Sequence, residues 1–303
     1  MQKDPYTIQE LSIEVGDGHA LHVYDWGNRD AAVPFIYLHG GPGSSVKDKD
    51  KAPYDPEQHR VIFFDQRGCG LSTPLGTLEH NTTEDLVSDI STIADTLQIE
   101  RFNLHGTSWG STLALAYALA HPQRVAALVV GGIFTGSQTE IDWLDQGQFK
   151  TFYPDVWQAY LERTPQPHRD NPSDYHFDKA INGTAEEQKL SAYAYECLES
   201  GVVKLDDRMR PEAYETYDPT GARIEMYYLS NRCFMPDRHI LDNISSLTMP
   251  VHIVQGRYDM VCPPATAYEL HQKLPSSRLY WTLSGHAVDH EGENIFRAII
   301  AGL

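Results

Sequence analysis

Short apolar runs that stop at a glycine-rich turn recur along this chain, several of them handing over to a helix. That alternation restricts the fold more than any other feature. Residues 33–38 (VPFIYL), 60–64 (RVIFF), 102–105 (FNLH) and 125–130 (VAALVV) each read as a strand buried in a sheet. Residues 20–26 (ALHVYDW) alternate apolar and polar positions in part, as an antiparallel early strand would. The stretch 83–97 predicts a helix. Thr82 or Thr83 can cap it, Glu84 and Asp85 suit the positive end of its dipole, and Leu86, Ile90, Ile93 and Leu97 recur at helical spacing. A second, Ala/Leu-rich helix covers 111–120; strands return at 250–254 and 278–283, and a helix closes the chain over 294–300. The pattern predicts an α/β fold, a mostly parallel central sheet flanked by helices on both faces.

From residue 135 to 237 the texture changes. This stretch is rich in Trp, Tyr, Glu and Gln, has helical segments and shows no convincing strand. The expected organisation is a core of 1–134 and 238–303 with an inserted helical cap domain over 135–237. Ligands bind beyond the carboxyl ends of strands in such sheets, so the cap would roof the site. A length of 303 residues, 41% of them apolar, accommodates that arrangement. The net charge of −18 disfavours nucleic acid and anionic membranes as partners. Cys69, Cys197, Cys233 and Cys262 lack paired spacing, so neither a disulfide framework nor a metal site is expected. The opening MQKDPYTIQE has no apolar signal core, and no stretch reaches the length of a membrane span; a soluble, cytoplasmic protein is expected.

Chemistry concentrates just past the strands. Gly106-Thr107-Ser108-Trp109-Gly110 is a GxSxG sequence lying between a strand and a helix, the context in which a sharp turn thrusts a serine outward. A serine hydroxyl needs an oriented base, and in folds of this kind the acid and then the histidine follow it along the chain. Asp259 follows the 250–254 strand and His286 follows the 278–283 strand, with enough chain between them for one helix and one strand. Asp289 and His290 lie nearby, but neither closes a strand; His290 ranks as a distant second base. His39-Gly40-Gly41-Pro42-Gly43 follows the 33–38 strand and can present backbone amides, so Gly41 and Trp109 are the expected oxyanion-hole donors. The 65–72 run, DQRGCGLS, reads as a structural brace beside the site.

In order, HGGPG, DQRGxGxS, GxSWGS, GIFT…EIDW, ARIExxY and GRYDMVCP resemble the prolyl aminopeptidase (proline iminopeptidase) family, serine peptidases of the α/β-hydrolase fold. The resemblance covers most of the chain. It implies Ser108, Asp259 and His286 as triad, no cofactor or metal, and a small peptide substrate with a free amino terminus. It further implies cap carboxylates that hold the substrate's ammonium: Glu225 in ARIE, and Glu199 in AYECLE with Glu196 as rival. Phe134 would line the pocket for a proline ring. The family's usual GGSWG, Arg-Gly-Ile-Phe and post-tryptophan aromatics are replaced by Gly106-Thr107-Ser108, Gly131-Gly132-Ile133-Phe134 and Leu144-Asp145. These departures bear on which N-terminal residue is accepted. The alternatives are an esterase, amidase or lactonase needing no free amine, and a hydrolase-like scaffold that only binds. Neither composition nor spacing sets the number of subunits.

Overall fold

β1 (Thr7–Gly16) and β2 (His19–Gly27) form an antiparallel hairpin, and β2 pairs antiparallel with β4 (Arg60–Phe64). Beyond it run β3 (Phe35–Leu38), β5 (Phe102–Thr107), β6 (Val125–Gly131), β7 (Val251–Gly256) and β8 (Ser277–Thr282), all parallel to their neighbours. The eight strands lie in the order β1-β2-β4-β3-β5-β6-β7-β8. These coordinates come from a computed structural model that describes residues 4–205 and 212–303.

Period-two side-chain direction explains the two cores. Ile36, Leu38, Ile62, Phe64 and Leu104 point to one face, with α1 (Thr83–Thr96) and α2 (Trp109–Ala120). Phe35, Tyr37, Val61, Phe63 and Val129 point to the other, under Phe296, Ile299 and Ile300 of α10 (His290–Ile300). α1 starts where the capping pattern requires: Thr82 Oγ1 accepts from the Asp85 amide at 3.3 Å, and the Asp85 carboxylate accepts from the Thr82 amide at 2.9 Å.

Between β6 and β7 the chain forms α3 (Gln138–Asp145), α4 (Pro154–Arg163), α5 (Pro172–Asn182), α6 (Ala185–Ser200), α7 (Thr220–Ser230) and α8 (His239–Asn243); α9 (Pro264–Lys273) follows β7. Among the described residues no strand interrupts the helices from α3 to α8. α7 is tied to the sheet side of the molecule. Tyr228 donates to Asn81 Oδ1 at 2.8 Å, and its ring lies edge-on to Trp109 at 4.9 Å.

β1 carries no legible strand signal. Of TIQELSIEVG only Ile13 is buried, because an edge strand needs little apolar surface to pair. Helix starts also differ slightly from the periodic pattern, at Trp109 and His290, since a helix begins at its cap and not at its first apolar residue.

The 65–72 loop braces the core as expected. Asp65 accepts from the amides of Val46 and Leu71 at 2.8 and 2.9 Å, and Ser72 donates back to the Asp65 carbonyl at 2.6 Å. Arg67 forks onto Asp89 of α1 at 2.8 and 2.7 Å with both side chains buried, and it also reaches the His80 carbonyl at 2.5 Å. Burial pushes the Asp89 carboxyl up to about 6, against the pull of the guanidinium. Removing Arg67 strands a buried carboxyl. Arg67→Met is expected to lower unfolding free energy by about 3–5 kcal/mol in urea titration, and Asp89→Leu in the same chain to restore much of it. An unchanged midpoint for Arg67→Met would contradict the bracing role.

Candidate active site

β5 ends at Thr107 and α2 begins at Trp109, which leaves Ser108 alone on the bend with φ 57° and ψ −129°. A non-glycine residue in that region is strained by about 1–3 kcal/mol, so the surroundings must impose it. They do so through backbone packing. The Ser108 amide donates to the Gly131 carbonyl of β6 at 3.0 Å. A Cβ at position 106 would overlap the Gly110 carbonyl, and one at 110 would overlap the Leu38 carbonyl of β3. Only glycines let helix and strand approach this closely.

The structure brings the three expected side chains together. His286 Nε2 lies 3.1 Å from Ser108 Oγ, and His286 Nδ1 lies 2.9 Å from Asp259 Oδ2. With Nδ1–H donating to the carboxylate, Nε2 faces the hydroxyl with its lone pair. α9 and β8 fill the interval between Asp259 and His286. Asp259 is buried and held from three sides. Oδ1 accepts from the Val261 and Cys262 amides at 3.0 and 2.8 Å, and Oδ2 accepts from Gln255 Nε2 at 3.0 Å. Burial works against the imidazolium, yet the Asp259 carboxylate beside it prevails and raises the His286 pKa well above the ordinary histidine value. Burial also pushes the neighbouring Cys262 thiol up to about 12, so it is not a thiolate near neutral pH. Asp289 caps α10 by accepting from the Gly292 amide at 2.9 Å, and His290 is exposed and meets Asn294 at 3.2 Å.

The loop after β3 abuts the bend: a Cβ on Gly40 would touch Ser108 Cβ at 3.5 Å. Gln66 fastens loop and bend to each other. Its amide donates to His39 Nε2 at 3.0 Å, its Nε2 donates to the His39 carbonyl at 2.9 Å, and its Oε1 accepts from Trp109 Nε1 at 2.9 Å. Among the described residues the backbone amides of Gly41 and Trp109 donate to no protein acceptor. Free donors beside a nucleophile suit a developing oxyanion.

Ser108 opens into a small cavity shared with Gly41, Phe134, Tyr195, Glu199, Glu225 and Asp145, among others. Glu199 of α6 lines it and Glu196 does not. Burial, then repulsion from Glu196, pushes Glu199 up to about 7; burial, then Glu199, raises Glu225 well above the carboxylate range. No lysine or arginine lines the cavity among the described residues. Buried carboxyls without a cation await one. A side chain at position 131, where the resembled family has arginine, would meet Phe296 Cζ and the Val254 carbonyl at 2.7 Å, so this chain has no room for it.

Two supporting residues escape sequence reasoning. Gln255 joins Asp259 to the Ile133 amide, accepting from the latter at 2.7 Å. It stands as a polar residue at the end of the VHIVQG strand, and that mismatch was its signal. Glu140 accepts from Ser137 Oγ at 2.8 Å and from the Thr135 hydroxyl, fixing the start of α3. Its signal was a Ser-x-x-Glu capping box.

Residues 33–286 match the family of the α/β-hydrolase fold. The chain is 36% identical over 304 residues to a proline iminopeptidase from Arabidopsis thaliana, covering 95% of this chain and 77% of that one. It is 39% identical over 267 residues to a probable proline iminopeptidase from Leptolyngbya boryana, covering 86% and 83% respectively. The crystal structure of a proline iminopeptidase from Mycobacterium smegmatis superposes with a TM-score of 0.64 at 21% identity over 97% of both chains, a likeness of fold.

The raised His286 pKa has a direct consequence. With His286 as the proposed base, active only when neutral, labelling of Ser108 by a fluorophosphonate should accelerate with pH along a limb lying above the ordinary histidine value. A limb at or below that value would contradict the Asp259–His286 electrostatics.

Proposed function

Because the chain belongs to the proline iminopeptidase family of α/β-hydrolases, we propose that it is a serine aminopeptidase that releases the N-terminal residue of small peptides. Proline is the expected residue, as the relatives' names say of them. The observation that carries this reading is the pair Glu199 and Glu225 in one cavity with the Ser108 hydroxyl. A substrate ammonium supplies the cation that this pair lacks, and its covalent distance from the first carbonyl sets that carbonyl against Ser108.

His286 takes the Ser108 proton as Oγ attacks the carbonyl carbon of the N-terminal residue. Asp259 holds the ring in the required tautomer and balances the imidazolium. The oxyanion rests on the amides of Gly41 and Trp109. The tetrahedral intermediate collapses as the imidazolium protonates the departing amine, breaking the C–N bond. Water, deprotonated by His286, then attacks the acyl-Ser108 ester and frees the amino acid. Phe134 offers an apolar wall to a proline ring. The 135–237 segment serves as the cap: its carboxylates receive the amino end, which restricts the site to chain termini. No helix among the described residues is long and apolar enough to cross a membrane; the proposed site of action is the cytoplasm.

Ser108→Ala is expected to abolish turnover of proline naphthylamide while leaving the circular-dichroism spectrum and thermal midpoint in place. Substantial residual turnover would reject the mechanism. Glu225→Gln should raise KM for the free-amine substrate by about tenfold or more, since a buried charge-assisted hydrogen bond is lost. Its thermal midpoint should hold or rise, because burial already disfavours that carboxylate in the empty site. N-acetylated proline naphthylamide should not be turned over; equal turnover of the acetylated and free compounds would favour an esterase or amidase indifferent to the amine.

A further inference from the structure

Asp145 is the last residue of α3, and three features of its placement are unfavourable together. It is only 9% exposed. It stands at a helix C-terminus, where the dipole disfavours a negative charge. Its carboxylate receives a single long hydrogen bond, from Tyr195 Oη to Oδ1 at 3.4 Å, and Oδ2 has no hydrogen bond among the described residues. A carboxylate so placed, with no ion pair to a cation among the described residues, makes no sense as scaffolding.

Its surroundings explain it. Asp145 lines the inner cavity with Ser108, Glu199 and Glu225, and it also lines a wide outer groove whose walls carry Asp142, Asp174 and Asp178 as well as Lys150, Arg169 and Arg232. Ile141, Asp145 and Leu229 are common to both spaces, so they form the partition between them. One substrate ammonium satisfies the Glu199–Glu225 pair. Asp145 is then left as a second acidic acceptor. A side chain that runs from the inner cavity past apolar Ile141 and Leu144 would bring its own cationic head to Asp145.

We infer that Asp145 is a specificity-determining residue that lets the enzyme also release N-terminal residues with a long basic side chain, lysine or arginine, by pairing with the second positive charge. The inference rests on the aminopeptidase reading above and names a further substrate class for that same site. It also gives a role to the acidic residue that stands where the resembled family has an aromatic one.

Lysine and norleucine differ little but for the ε-ammonium, so their coumarylamides isolate that charge, with the proline coumarylamide run beside them on the full chain. The expected kcat/KM for lysine exceeds that for norleucine by about tenfold or more, the scale of a lost charge-assisted hydrogen bond in a buried pocket. Asp145→Asn and Asp145→Leu should each bring the ratio close to unity. A wild-type ratio near unity overturns the inference, and needs no variant to fold; so does a high ratio that survives both substitutions. If proline and norleucine compounds are cleaved while lysine gains nothing, only this inference fails. If none of the three is cleaved, the aminopeptidase reading falls and this inference with it.

Discussion

The rest of the molecule is organised around a backbone contact, the approach of Gly110 to the Leu38 carbonyl. That closeness seats α2 against β3, and the seat leaves Ser108 on a bend that no serine adopts unforced. The same contact sets the loop after β3 beside the hydroxyl, so the proposed nucleophile and oxyanion donors come from one packing event. Gln66 then locks the two together through His39 and the Trp109 indole. Strain at the bend is therefore sustained by rigid neighbours on β3, β4's following loop and β6, and not by any one hydrogen bond.

Charge supplies the second constraint. The sheet contributes a hydroxyl, an imidazole and a carboxylate, which would serve many acyl-transfer reactions equally. The helices over it contribute carboxyls that burial makes reluctant to ionise. A cavity in that condition discriminates by charge before it discriminates by shape. In the function proposed above, an incoming ammonium would recover the ionised, paired state of Glu199 and Glu225, and binding energy at that end would position the carbonyl at the other. The proposed function thus assigns selectivity for a chain terminus to the α6 and α7 segments, and the hydrolytic step to the strand ends.

Much of this was legible in the residues. Buried parallel strands advertise themselves as unbroken apolar runs, and the residues just past them, Ser108, Asp259 and His286, inherit their position from the sheet. β1 was not legible, because an edge strand buries only Ile13 and has no period to read. Gln255 shows in the sequence only as a polar residue in an apolar strand, and Gln66 only as part of the 65–72 brace; the distant segments each one joins are encoded by no local pattern. Glu199 and Glu196 could not be separated by spacing alone. Glu199 lies on the turn of α6 that lines the cavity, and helix rotation is set by packing against α4, α5 and α7.

The central claim joins the nucleophile to the carboxylates, and one measurement reads both ends at once: a crystal structure of the chain with a proline boronic acid that keeps its free amine. The predicted result is a bond from Ser108 Oγ to boron, one boronate oxygen against the Gly41 and Trp109 amides, and the ammonium lying between Glu199 and Glu225. A boronate on Ser108 whose ammonium points into solvent, or away from both glutamates, would contradict it.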